Sequence, residues 1–94
     1  MVIRSFADRD TARLFARESP RRFPAELQRV MLRKLLVVDA AERLEDLRVP
    51  PGNRLEKLKG SRAGTHSIRV NDQWRVCFRW AGADAHDVEV VDYH

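Results

Sequence analysis

The sequence predicts an α+β fold, helices first and an antiparallel sheet after them. Three observations carry it. Between Pro24 and Ala40 apolar side chains recur at helical spacing. From Thr65 onward they alternate with polar ones, the pattern of half-buried strands. Between the halves, Val49-Pro50-Pro51-Gly52-Asn53 interrupts any regular structure.

Taken in order, Val2 to Phe6 reads as a short opening strand. Asp8 or Asp10 can cap a helix carrying Leu14 and Phe15, because an Asp carboxylate accepts from the free N–H groups of a first turn. Ser19-Pro20 closes that helix, since a residue before proline avoids helical dihedrals. Pro24 suits the first turn of a second helix running to about Ala40. Its Leu27, Met31 and Leu35 share one face, with Glu26, Arg29 and Arg33 opposite. Residues 42–47 can add a further turn or two.

Beyond the break, Arg54 to Lys59 reads as a strand and residues 60–64 as a loop. Thr65 to Val70 alternates, with His66, Ile68 and Val70 on one side and Ser67 and Arg69 on the other. Asn71-Asp72 marks a hairpin turn. In the next strand Trp74, Val76, Phe78 and Trp80 share one face; Arg75, Cys77 and Arg79 share the other. Residues 81–85 form a turn and His86 to Tyr93 the last strand. The whole is a sheet of three to five strands packed against two or three N-terminal helices. Trp74, Val76, Phe78, Trp80, Ile68, Val70, Leu27, Met31 and Leu35 are the expected core. Arg69, Arg75 and Arg79 then line an outer, basic sheet face suited to a phosphate chain.

With 94 residues, the chain is read as one domain, 1–94. Lys and Arg number 18 against 14 Asp and Glu, a net charge of +4. Most of these cations are arginine, which holds phosphate or carboxylate with two parallel bonds. A basic surplus points to an acidic or phosphate-rich partner without choosing among RNA, DNA and protein. Cys77 is the lone cysteine, which excludes an internal disulfide and suggests a reducing compartment. No leader-like start and no membrane-length apolar run is evident, so a cytoplasmic protein without membrane contact is expected.

His66, His86 and His94 form no metal-binding spacing with each other or with Cys77, and no cofactor is expected. The segment 60–64 lacks the Lys and Ser/Thr of a phosphate loop. What remains is acid–base chemistry on a basic surface. RNA carries its own nucleophile, the 2′-hydroxyl, so a catalyst need only move protons and stabilise charge on the phosphate. Candidates are Glu56, Lys57 and Lys59, the cations Arg75 and Arg79, and the final Asp92, Tyr93 and His94.

Three stretches, in order and spacing, carry a family resemblance: Arg54-Leu55-Glu56-Lys57-Leu58-Lys59-Gly60, Ser67 to Phe78, and Asp87 to His94. With Ile3-Arg4-Ser5-Phe6 they span nearly the whole chain, which resembles the HigB branch of the RelE toxin superfamily. The resemblance implies a RelE-like fold and metal-free cleavage of messenger RNA in the ribosomal A site, through a 2′,3′-cyclic phosphate. It implies a HigA-type helix-turn-helix antitoxin, with operator DNA bound only by the toxin–antitoxin complex. By position, Asp92, Tyr93 and His94 match the family's catalytic tail, Arg75 its phosphate-stabilising arginine, and Lys59 the basic residue of its Leu-Lys-Gly segment. Lys57, Lys59, Arg69 and Arg79 are the expected RNA contacts. One position departs: some members carry histidine where this chain has Glu56, so the general base is either Glu56 or Asp92. Asn71 also stands at a turn position that is basic in some members. Two alternatives stay open: a ParE-like gyrase poison, and a non-catalytic module that docks on RNA or the ribosome.

Overall fold

The computed structural model describes residues 1–59 and 64–92. Helix α1 spans Arg9–Phe15 and α2 spans Gln28–Ala40, the latter led in by a 3-10 turn at Ala25–Leu27. Two further 3-10 turns, Leu44–Arg48 and Pro51–Asn53, occupy the interrupted stretch. Four strands follow: β1 Glu56–Lys57, β2 Thr65–Arg69, β3 Trp74–Ala81 and β4 Asp84–Asp92. They form one antiparallel sheet in sequence order. The α+β expectation holds.

The apolar stripe of α2 explains the packing. Met31, Leu35 and Val38 are fully buried against Ile68, Val76, Phe78, Val88 and Val90 of the sheet. Trp74 and Val70 join them, and Phe23 meets Trp74 edge-on with centroids 5.7 Å apart. Each large side chain so buried stabilises by roughly 1.5–3 kcal/mol. Leu27 and Trp80, at the margins, are only half-buried.

Several boundaries differ from the sequence reading, each for a local reason. Asp8 is the cap of α1, accepting from Thr11 N at 2.6 Å. That helix stops at Phe15, ahead of Ser19-Pro20, because Arg17 takes a left-handed backbone (φ 66°). The predicted strand at 54–59 shrinks to two residues because Arg54 is also left-handed, φ 45° and ψ 58°. The turn after β2 is wider than two residues: Asn71 Oδ1 accepts from both Gln73 N and Trp74 N. Between β3 and β4, Gly82 supplies the positive φ of a tight reversal.

Strand β4 carries a bulge. Cys77 faces Glu89 but Arg79 faces His86, so two β4 residues, Asp87 and Val88, oppose Phe78. Asp87 sits at φ 53°. As a result Ala85 points inward before the bulge, and Val88 and Val90 after it.

The opening segment does not become a full strand. It runs parallel to β4 through isolated bridges at Ile3 and Phe6. Val2 O accepts from Ala85 N, and Ser5 O from Val88 N. Further along, Thr11 Oγ1 accepts from Val90 N and Arg22 donates to Val90 O. The outer edge of β4 is therefore covered by backbone and side-chain partners, which blunts pairing with another chain. Buried Asp39, at the end of α2, fixes this segment by accepting from Val2 N and Ile3 N.

Candidate active site

The outer sheet face is not the open basic plate that alternation suggests. Arg75 is where the period puts it, but it is only 8% exposed, and Ser67 and Cys77 beside it are fully buried. The cause is the segment at Arg54–Glu56, which lies over the guanidinium. A buried cation is tolerated when its donors are paired. Here Arg75 Nε donates to Ser67 Oγ (2.8 Å) and Nη2 to the carbonyls of Arg54 (2.6 Å) and Ser67 (3.3 Å). Glu56 Oε1 stands 3.5 Å from Nη2.

Next to it opens a cleft of about 320 Å³ lined by Arg54, Glu56, Arg69, Asn71, Asp72 and Arg75. Its geometry follows from ladder register. Arg69 pairs directly opposite Arg75, and Glu56 opposite Ser67, one row over. Like charges directly opposite each other on one face normally destabilise a sheet. The two arginines are instead offset by carboxylates: Asp72 pairs with Arg69, and Glu56 with Arg75. An anion entering the cleft would meet three guanidinium groups on one wall, with Glu56 beside them as a proton acceptor.

The other expected site residues lie elsewhere. Lys57 pairs with His66, on the opposite face from Glu56, and lines a separate cavity of about 150 Å³ with Leu44, Glu45, Arg48, Leu55 and His66. Burial, then the Lys57 charge, hold the His66 imidazole below its ordinary value, against the raising effect of a Gly64 backbone hydrogen bond. Arg79 is exposed two rungs along β3 and pairs with Asp87 at 3.4 Å. Lys59 is exposed and does not line the cleft. Asp92 lies opposite Trp74 in the ladder, not beside Arg75, and accepts from Gln73 Nε2 at 3.0 Å. Of the two carboxylates proposed as base, Glu56 is the one that lines the cleft. Tyr93 and His94 lie outside the described residues.

Arg54 and Ser67 were not anticipated. Nothing in the one-letter pattern marks a left-handed arginine, and a serine on a strand reads as filler. The usable signal was Pro-Pro-Gly-Asn immediately before Arg54, which announces a turn whose end the backbone must leave sharply. Among the described residues no group of three or more His, Cys, Asp or Glu side chains is arranged to hold a metal ion, and no helix is long and apolar enough to cross a membrane.

Comparison with known proteins matches residues 4–94 to the family model of the RelE-like toxin of type II toxin–antitoxin systems, HigB. The chain is 48% identical over 60 residues to "Toxin HigB-1" of Vibrio cholerae serotype O1, covering 64% of this chain and 63% of that one. It is 36% identical over 67 residues to an uncharacterised protein of Haemophilus influenzae, covering 71% and 66%. It is 31% identical over 97 residues to "Endoribonuclease HigB" of Proteus vulgaris, covering 99% of this chain and all (100%) of that one. The matched stretch thus spans just under two thirds of the first two relatives, at 63% and 66%, and the full length of the third.

Proposed function

Since the chain belongs to the RelE-like HigB toxin family of type II toxin–antitoxin systems, we propose that it is an endoribonuclease that cuts translated messenger RNA in the ribosomal A site without a metal. The observation that carries this reading is the cross-strand pair Arg69–Arg75 with Glu56 at its side, in one cleft. Two cations forced together are destabilising unless an anion joins them, and a phosphodiester is such an anion.

In this reading Glu56 accepts the proton of the 2′-hydroxyl. The 2′-oxygen attacks the adjacent phosphorus, and the bond to the 5′-oxygen breaks. A 2′,3′-cyclic phosphate remains on one fragment and a 5′-hydroxyl forms on the other. Charge growing on the non-bridging oxygens is stabilised by Arg75 and Arg69, whose positions are already fixed, so little reorganisation is needed as the reaction proceeds. The leaving oxygen takes its proton from the chain end, for which Tyr93 and His94 are proposed on the family resemblance. Asp92 would then orient that end. Lys57, Lys59 and Arg79, outside the cleft, are proposed as contacts to flanking phosphates, each worth little singly and sensitive to salt. The ribosome would supply orientation of the substrate, which can account for much of the barrier.

Membership of a type II system gives the toxin an antitoxin partner. We propose a HigA-type helix-turn-helix protein in that role, with operator DNA bound by the complex alone. The test is primer extension on a translated message with and without the protein. Stops inside the occupied A site are expected, and naked RNA should be cut poorly. Supercoiling loss with no message cleavage would instead indicate a gyrase poison; ribosome binding with no cut would indicate a docking module.

A further inference from the structure

Arg75 owes its geometry to a carbonyl whose own placement needs explaining. The Arg54 carbonyl accepts from Arg75 Nη2 at 2.6 Å, the shortest of that guanidinium's three hydrogen bonds. Arg54 presents it from a left-handed backbone, which a non-glycine residue holds only where its surroundings over-determine it. Those surroundings are supplied by the preceding residue. Asn53 is fully buried. Its Nδ2 donates to the carbonyls of Leu47 and Val49, both at 3.2 Å, tying together the two 3-10 turns. Its Oδ1 accepts from Lys34 Nζ of α2 at 2.5 Å. Its backbone N–H donates to Pro50 O, and that of Arg54 to Pro51 O.

We infer that Asn53 and Lys34 are positioning residues for Arg75, linking helix α2 to the cleft through the Arg54 carbonyl. Neither lines the cleft. Lys34 nonetheless stands close behind it: burial, then the charges of Arg33 and Arg69, keep its ammonium below the ordinary lysine value. A lysine in that position is costly unless its proton donors are used, and Asn53 Oδ1 is the acceptor that uses one. The network matters because a guanidinium fork stabilises a phosphate only if its plane is fixed before the anion arrives. Ser67 sets that plane from the Nε side, and the Lys34–Asn53–Arg54 chain sets it from the Nη2 side. The catalytic meaning rests on the reading given above, but the positioning itself does not.

The experiment measures rotation of the Arg75 guanidinium about its Nε–Cζ bond by nitrogen-15 NMR of the intact chain. In the wild type this rotation should be slow and the Nε proton protected from exchange. Asn53→Ala and Lys34→Met should each speed rotation by about tenfold, the factor that losing one hydrogen bond to a charged group corresponds to. Lys34→Met leaves both Asn53 donations in place and carries the test if Asn53→Ala does not fold. Asp8→Ala, which weakens α1 far from the cleft, should leave the rotation unchanged. On translated messages the two network variants should lose kcat by a similar factor with little change in KM. Unchanged rotation in folded Lys34→Met, or equal acceleration in Asp8→Ala, overturns the positioning role. Faster rotation with no RNA cleavage even by wild type would uphold the network and defeat the ribonuclease reading instead.

Discussion

At the scale of single residues, the side chain with most at stake is Arg75. It is buried, triply hydrogen-bonded and opposite another arginine. Arg75→Lys should not rescue function, because a single ammonium cannot reproduce bonds at Nε and Nη2 together. Cleavage of translated message should fall by about 10²–10³ in kcat, as when one fixed donor to a developing oxyanion is removed. Folding should be checked alongside by urea titration, since Ser67 and Arg54 would lose their donor. His66 gives a prediction in pH. Its folded pKa is lowered from 6.5, chiefly by burial, so the unfolded chain binds a proton more readily than the folded one. Stability is therefore retained above about pH 6.5 and lost as pH falls through that value toward the lowered one. Urea midpoints at about pH 7.5 and pH 5.5 should differ in wild type, and the difference should shrink in His66→Gln.

At the scale of elements, α1 is short and depends on its ends. Asp8 caps it, and the same carboxylate meets Arg22 at 3.0 Å. Burial raises the Asp8 pKa, but the Thr11 hydrogen bonds and Arg22 outweigh this and hold it below the ordinary value. Asp8→Ala should cost about 1 kcal/mol by chemical denaturation. These elements also show what a sequence discloses. Helix α2, strands β2 and β3, and most of the core were legible, because Met31, Leu35, Ile68, Val76 and Phe78 obey one period each. Arg69, Arg75 and Glu56 were legible as a site for the same reason. Alternation tells which face a side chain takes, however, and not what covers that face. Hence the burial of Arg75 was invisible, as were its partners Ser67 and the Arg54 carbonyl. The left-handed residues Arg17, Arg54 and Asp87 carry no glycine to announce them, so α1 ended earlier, β1 shrank and β4 bulged without warning.

At the scale of the whole molecule, the covered edge of β4 and the very short β1 leave the sheet little exposed ladder with which to recruit another strand. The cleft lies on the sheet face turned away from α2, so chemistry and core occupy opposite sides. Activity should accordingly be separable from folding. A chain lacking Tyr93 and His94 should retain wild-type circular dichroism and antitoxin co-purification, yet lose cleavage of translated message. Cleavage at the full rate would shift the proton-donating role to other residues. Cleavage by the intact protein should also survive EDTA, measured with the magnesium needed by the ribosome restored after treatment. The bulge at Asp87 has a consequence of a different kind. It makes β4 intolerant of indels rather than of substitutions. Deleting one residue there would exchange the surroundings of everything downstream, sending Val88 and Val90 to solvent and Glu89 and Val91 into the oil. A library of single-codon deletions should therefore show a sharp fitness cliff across residues 87–91, where point changes at Asp87 itself are borne.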